Sequence, residues 1–215
     1  MFPTISFFIL TYLLGSIPTS YWVGKYLFNI DIREHGSGNA GATNSMRVMG
    51  AQVAIPVLIV DVAKAFAATK LALFIPDISA GQVLHFKVVF GLVAVIGHIF
   101  PVFAQFKGGK GIASLTGVIF GISPIAAVFC LAVFIVVVTL SKMVSLGSII
   151  TSIALPFIYL FALNKDDVFL IGFSFAVILI VLVTHFDNIK RILAGEENTL
   201  NFKEKNDSYD ETKGK

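Results

Sequence analysis

The sequence predicts an all-α integral membrane protein of seven transmembrane helices, with the N-terminus outside and the C-terminus in the cytoplasm. Three observations carry that reading. Of the 215 residues, 56 % are hydrophobic and 13 % charged, where a soluble domain carries about a quarter charged residues. Apolar runs of about 18 residues or more, long enough for transmembrane helices, recur along the chain. Lys and Arg lie mostly in short loops and in the tail, the distribution by which the positive-inside rule sets orientation. The net charge of +3 therefore speaks for membrane orientation and not for nucleic-acid binding. Cys130 is the single cysteine, which rules out an intrachain disulfide and argues against a cysteine-based zinc site.

The apolar N-terminus, Phe2 to Leu14, has no basic leader and no small-residue cleavage site, so it reads as a retained helix. The first span runs from about Ile5 to Phe28, kinked at Pro18. A polar segment, Asn29 to Gly50, follows. The second span runs from about Ala51 to Ile75, and the third from about His85 to Phe106, ending at Lys107-Gly108-Gly109-Lys110-Gly111. The stretch Ile112 to Leu140 is uncharged and ambiguous. As one helix it would rise about 43 Å, against a hydrocarbon core of about 30 Å. As two, Gly121-Ile122-Ser123-Pro124 is the turn, because Pro124 disfavours helix at Ser123 and Gly121 is a good stop. The last spans run from about Ser148 to Leu163 and Val168 to His185. Residues 1–190 thus form a seven-helix domain. Residues 191–215 form a charged cytoplasmic tail, expected to be poorly ordered toward its end.

Charge decides the ambiguous stretch. With seven spans, Lys25, Arg33, Arg47, Lys107, Lys110, Lys142, Lys190, Arg191 and the tail lysines face inside. Lys87 and Lys165 face outside. With a single helix there, Lys142, Lys190, Arg191 and the tail would cross over, and the asymmetry would be lost.

Three polar segments carry chemistry, and seven spans put all of them on the cytoplasmic face. Residues 36–44, Gly-Ser-Gly-Asn-Ala-Gly-Ala-Thr-Asn, match G-x-G-x-x-G, yet a membrane helix precedes them and not a strand, so the dinucleotide reading fails. Glycines still let backbone N–H groups approach an anion. Ser37, Asn39, Thr43 and Asn44 add donors, and Arg47 can grip phosphate with two bonds. The bland alternative is a solvated connector. Residues 107–111 lack the P-loop spacing, but set Lys107 and Lys110 on glycine-rich backbone before a helix N-terminus, which suits an anion. The alternative is a basic anchor at a helix end. In the third segment, His185 and Asn188 share a helical face at the membrane surface, followed by Lys190, Arg191 and Gly195-Glu196-Glu197. His185 is a candidate general base or phosphate donor, or simply an interfacial histidine.

Within the second span, Asp61 and Lys64 lie at i, i+3 and either neutralise each other or meet a substrate. Lys70 reads as a snorkelling side chain. Ser145 and Ser148 begin the sixth span and can line a site, although small residues also pack helices. His98, before Pro101, is left as a core or interfacial histidine. H-E-x-x-H, G-x-S-x-G and C-x-x-C are absent, as is the H-x-x-x-x-D pattern of the common glycerolipid acyltransferases. No compact carboxylate or histidine cluster implies a metal, and no cofactor is expected.

Taken together, Gly15-Ser16-Ile17-Pro18-Thr19-Ser20, Ser37-Gly38-Asn39 with Gly41-Ala42-Thr43-Asn44 and Arg47, Asp61 with Lys64, Gly97-His98 with Pro101, Lys107 to Gly111, and His185 with Asn188 resemble the bacterial acyl-phosphate:glycerol-3-phosphate acyltransferase family. The resemblance runs from about Ile5 to Glu197. It implies seven membrane helices in a bacterial cell membrane and an active site toward the cytoplasm. It also implies one reaction, the first step of phospholipid synthesis. The 1-hydroxyl of glycerol 3-phosphate attacks a long-chain acyl phosphate, giving lysophosphatidic acid and phosphate. By motif position it implies Ser37, Arg47 and Lys110 as phosphate ligands, with Ser145, His185 and Asn188 as further polar groups of the pocket. Ala40 departs from the pattern, standing where many relatives carry proline, but removes no donor.

The residue chemistry is compatible with that reaction. Acyl phosphate has a good leaving group, so positioning and charge stabilisation can carry catalysis without a covalent nucleophile. The expected partners are the two substrates and membrane lipid, not nucleic acid. The competing reading is an organic-phosphate transporter; against it stand the lack of a detectable internal repeat and the clustering of polar loops on one face. A lipid-binding scaffold would have no use for two donor-rich glycine loops.

Overall fold

The computed structural model describes residues 2–199, so most of the charged tail lies outside the described residues. Those residues form ten α-helices and no strand. They are α1 (Phe2–Gly15), α2 (Thr19–Leu27), α3 (Ala42–Met49), α4 (Ala51–Lys70), α5 (Ala80–Ile99), α6 (Ile112–Ile122), α7 (Pro124–Ser141), α8 (Val144–Phe157), α9 (Val168–Thr184) and α10 (Phe186–Leu193). The ambiguous stretch is two helices. Ser123 is extended, at φ −145°, and its hydroxyl caps α7 by accepting from the Ala126 N–H. A proline at the first position of α7 needs no N–H partner, so the break costs little. The expected kink in the first span is a full interruption between α1 and α2. The third span starts earlier than expected, at Ala80, because Ser79 and Gln82 form a capping box. Its helix also stops earlier, at Ile99, ahead of Pro101.

Segments 80–104, 124–141 and 144–162 are each long and apolar enough to cross a bilayer, and α9 with α10 makes a fourth across a 66° bend. The burial pattern is that of a bundle in lipid. Ile9, Ile59, Ile135, Leu179 and Val183 are exposed, while Thr11, Ser16, Ser20, Ser114 and Ser174 are buried. Helices approach closely where side chains are small. A Cβ on Gly117 of α6 would overlap the Val62 carbonyl of α4, and one on Gly15 of α1 would overlap the backbone of Ala94 in α5. Tyr12 Oη donates to the Phe100 carbonyl at 2.7 Å, fastening α1 to the end of α5.

Charge inside the bundle is compensated locally. Asp61 and Lys64, 1 % and 5 % exposed, pair at 2.8 Å. Thr19 Oγ1 donates to Asp61 Oδ1 at 3.0 Å, and Lys64 Nζ donates to the Ile17 carbonyl at 2.5 Å. That carbonyl lies in the break between α1 and α2, so the pair also supplies a partner to interrupted backbone. Removing one member strands a buried charge, which costs about 3–5 kcal/mol. Asp61→Asn or Lys64→Met alone should therefore lower the thermal midpoint in detergent clearly. The combined Asp61→Asn/Lys64→Met protein should lose less than the sum, and wild-type melting of both single variants would refute the pairing.

Candidate active site

The first polar segment is a loop built around its own side chains. Asp31 accepts from the Arg33 backbone N–H at 3.0 Å and from the Arg33 guanidinium at 2.9 and 2.6 Å. This hydrogen-bonded pair holds the Asp31 carboxyl below the usual carboxylate range. Arg33 also lies over the Tyr21 ring at 4.3 Å and donates to the Ala104 carbonyl at 2.9 Å, tying this loop to the turn after α5. Asn44 is the loop's brace. Its Oδ1 accepts from the Ser37 N–H at 2.8 Å, and its Nδ2 donates to the Ile32 and His35 carbonyls at 3.1 and 2.9 Å. Gly36, at φ +62°, leaves no room for a Cβ against that Asn44 oxygen, so only glycine admits this brace. The loop ends at Gly41, and α3 carries Thr43 and Arg47.

The second segment turns tightly from α5 into α6. Gly108 N–H donates to the Ile99 carbonyl at 3.0 Å and Gly109 N–H to the His98 carbonyl at 3.2 Å. Gly111 then takes a left-handed conformation, φ +85°, as the residue before α6. Lys110 Nζ is thereby delivered to Asn188 Oδ1, to which it donates.

The third segment begins at the bend after α9. His185 is 3 % exposed, and its Nδ1 lies 3.0 Å from the Val181 carbonyl. A carbonyl only accepts, so the proton is assigned to Nδ1 and Nε2 keeps the lone pair. On α10, Asn188 Nδ2 donates to Glu197 Oε1 at 2.6 Å. The same carboxylate accepts from Ser145 Oγ of α8 at 2.8 Å and from Arg191 Nε at 2.9 Å. Burial pushes the Glu197 carboxyl up, and the bonds from Asn188, Ser145 and Arg191 outweigh that push and leave it low. Burial pulls the Lys110 ammonium below its usual range, with Arg191 adding repulsion and Glu197 and Asp187 partly offsetting both.

These segments surround one cavity of about 630 Å³. Ser37, Arg47, Lys110, Ser145, His185 and Asn188 line its polar part, while Leu58, Leu115, Ile119, Cys130, Phe134 and Val177 line its apolar part. Glu197 offsets Arg191, whereas Arg47 has no ion-pair partner among the described residues. The cavity can therefore take an amphiphile with an anionic head, the head at Arg47 and Lys110 and the chain among apolar helices.

Of the residues singled out by sequence, Ser37, Asn39, Thr43, Asn44, Arg47, Lys110, Ser145, His185 and Asn188 line this cavity. Lys107 stands apart, exposed and outside the lining. Asn44 lines the wall, but its amide is already occupied by loop backbone. Asp61 and His98 also line the cavity, which the sequence left undecided. Sequence reasoning missed Glu197 as a hub. Its only signal was an acid beyond a glycine turn in an otherwise polar tail.

The sequence model of the family described as glycerol-3-phosphate acyltransferase matches residues 5–195. A glycerol-3-phosphate acyltransferase from Chlorobium phaeobacteroides is 40 % identical, with 94 % of this chain and 98 % of that protein covered. One from Macrococcus caseolyticus is 43 % identical, covering 91 % and 96 %. The crystal structure of PlsY, an integral membrane glycerol 3-phosphate acyltransferase, in its glycerol 3-phosphate form aligns with a TM-score of 0.80 at 35 % identity, covering 92 % of this chain and 95 % of that one. Its lysophosphatidic acid form aligns at 0.78 and 34 % identity, with the same coverage.

The electrostatics of Lys110 make the site pH-sensitive. A buried ammonium whose pKa is lowered sheds its proton at a lower pH than a free lysine does. Inorganic phosphate held there should lose this contribution to its binding at a pH below that at which a free lysine deprotonates. Lys110→Arg, which stays protonated, should postpone that loss to higher pH. Phosphorus NMR titrations in detergent would show it, and identical pH dependence in both proteins would remove Lys110 from the anion site.

Proposed function

This chain belongs to the glycerol-3-phosphate acyltransferase family, and from that membership we propose that it transfers a long-chain acyl group from acyl phosphate to the 1-hydroxyl of glycerol 3-phosphate. The products are lysophosphatidic acid and inorganic phosphate, in the first step of phospholipid synthesis. The observation that carries this reading is one cavity with cationic donors at one part and an apolar remainder. It suits two substrates that both carry phosphate, one of them also a long chain.

The hydroxyl oxygen of glycerol 3-phosphate forms a bond to the acyl carbonyl carbon. The bond from that carbon to the phosphate oxygen breaks, and phosphate leaves with the electron pair. The hydroxyl proton passes either to a phosphate oxygen or to His185 Nε2, the imidazole nitrogen that keeps its lone pair. Arg47, Lys110 and the Ser37 loop hold phosphate, with Asn39 and Thr43 as flanking donors. Ser145 and Asn188, oriented by Glu197, complete the polar wall. Positioning and charge stabilisation supply the rate enhancement, since the leaving group is already good.

The same reading places seven spans in a bacterial cell membrane, with the N-terminus outside and the site toward the cytoplasm. Contacts at the two ends of the bundle support it. Arg33 meets Ala104 at 2.9 Å and Ser145 meets Glu197 at 2.8 Å at the cation-rich end. His85 stacks on Phe169 at 3.6 Å at the other, where Lys87 and Lys165 lie.

Purified protein in detergent, given acyl phosphate and glycerol 3-phosphate, should release phosphate and lysophosphatidic acid in equal amounts without a second compartment, which a transporter would require. Arg47→Ala and Lys110→Ala should raise KM for glycerol 3-phosphate by about tenfold or more, or abolish turnover; unchanged kinetics in both would defeat the phosphate-clamp assignment. His185→Ala separates the two proton acceptors. If Nε2 takes the proton, the variant loses both rate and the acid limb of the pH–rate profile. If phosphate takes it, activity stays near normal with the profile intact.

A further inference from the structure

His98 is assigned no part in the chemistry above, yet it is a buried, polar side chain in an apolar bundle, 6 % exposed. Unsatisfied polar groups are costly in such a place, so what the ring touches matters. Its Nδ1 faces Asp61 Oδ1 at 3.7 Å. Its other edge faces the second glycine segment. A Cβ on Gly109 would collide with His98 Nε2 and would also crowd the Ala40 carbonyl of the first loop at 2.9 Å. The backbone of the same residue holds the same turn, since the His98 carbonyl accepts from the Gly109 N–H at 3.2 Å. Asp61, on the far side, is anchored by Lys64 at 2.8 Å and Thr19 at 3.0 Å.

We propose that His98 is the positioning residue of the Lys107–Gly111 turn. Its imidazole is wedged between Asp61 and Gly109, and it sets the backbone that aims Lys110 into the cavity. The buried Asp61–Lys64 pair then has a task beyond its own neutrality, because it backs the ring that the turn rests on. Ala40 shares the contact, so the same wedge sets the spacing between the two glycine loops. Lys110 follows Gly109 directly, and its ammonium lies at the end of a long side chain. A small tilt of the turn is therefore a large displacement at the phosphate, and displacements of about 1 Å cost about a hundredfold in rate elsewhere.

The proposal rests on the acyl-transfer reading and is tested by kinetics on full-length protein with acyl phosphate and glycerol 3-phosphate. His98→Ala should raise KM for glycerol 3-phosphate about tenfold, with kcat changed much less and the melting temperature near wild type. His98→Gln, which restores a polar planar group of similar reach, should recover most of that loss. Gly109→Ala should cost a similar factor in wild type and a smaller one in the His98→Ala background, where the ring its methyl strikes is gone and only the crowding at the Ala40 carbonyl remains. Strict additivity of the two changes in kcat/KM, or unchanged kinetics in folded His98→Ala, would overturn the proposal, because contacting residues couple and independent ones do not. Should His98→Ala fail to fold, Gly109→Ala decides alone. A raised KM at normal melting supports the wedge, and a wild-type KM refutes it. A wild-type protein that releases no phosphate from the two substrates refutes the acyl-transfer reading itself, whereas an active wild type with an additive cycle refutes only the role of His98.

Discussion

The carboxylate of Glu197 is the point on which the polar part of the cavity depends. It accepts from Ser145 at 2.8 Å, from Asn188 at 2.6 Å and from Arg191 at 2.9 Å. Those donors come from α8, from α10 and from the last turn of α10. Because both Nδ2 and Oδ1 belong to one planar amide, the bond from Nδ2 to Glu197 turns Oδ1 toward Lys110. The lysine, from the turn before α6, is then held by an oriented acceptor. A single buried acid thus couples two helices and one loop, and it offsets the repulsion between Arg191 and Lys110. Charge-assisted bonds of this kind are among the stronger ones available to a protein, and the low dielectric around them raises both their value and the cost of losing one.

The bilayer imposes the second constraint. Lipid supplies no hydrogen-bond partners, so every interrupted helix must find its own. The gap between α1 and α2 is closed by Lys64 on the Ile17 carbonyl, and the gap between α6 and α7 by the Ser123 cap. The end of α5 is met by Tyr12, Gly108 and Gly109. Of these three breaks, the turn after α5 leads into the cavity, which Lys110 and Gly111 line. The α1–α2 and α6–α7 breaks lie outside the cavity lining, so their repairs serve the bundle itself. The glycines at close helix contacts serve the complementary need, letting helices come near enough for the short side chains between them to meet.

Much of the site is legible in the order of residues alone. Glycine beside serine, asparagine and arginine is a donor-rich composition that suits an anion, and the fold brings Ser37, Arg47, Lys110, Ser145, His185 and Asn188 to one cavity. The break at Ser123 is equally legible, since Pro124 leaves its predecessor little choice of backbone conformation. Other assignments depend on rotation about a helix axis or on distant partners. Lys107 and Lys110 are three residues apart in one turn, and nothing in their identity says which of them points inward. Asn44 carries the same amide whether it meets a ligand or, as here, the backbone of its own loop.

Residue type and order by themselves determined the helical class, the membrane setting, the family and the chemical character of the cavity. Each of these follows from local properties: hydropathy over a helix length, the backbone freedom of glycine, the charge on a side chain. Tertiary structure alone decided that Glu197 closes the polar wall, that Asp61 is faced by His98, and that His98 lies against Gly109. These facts join residues as much as 52 positions apart, as Ser145 and Glu197 are. Such a pairing has no local signature, because it is settled only when the helices have packed and each buried polar atom has found the partner left within reach.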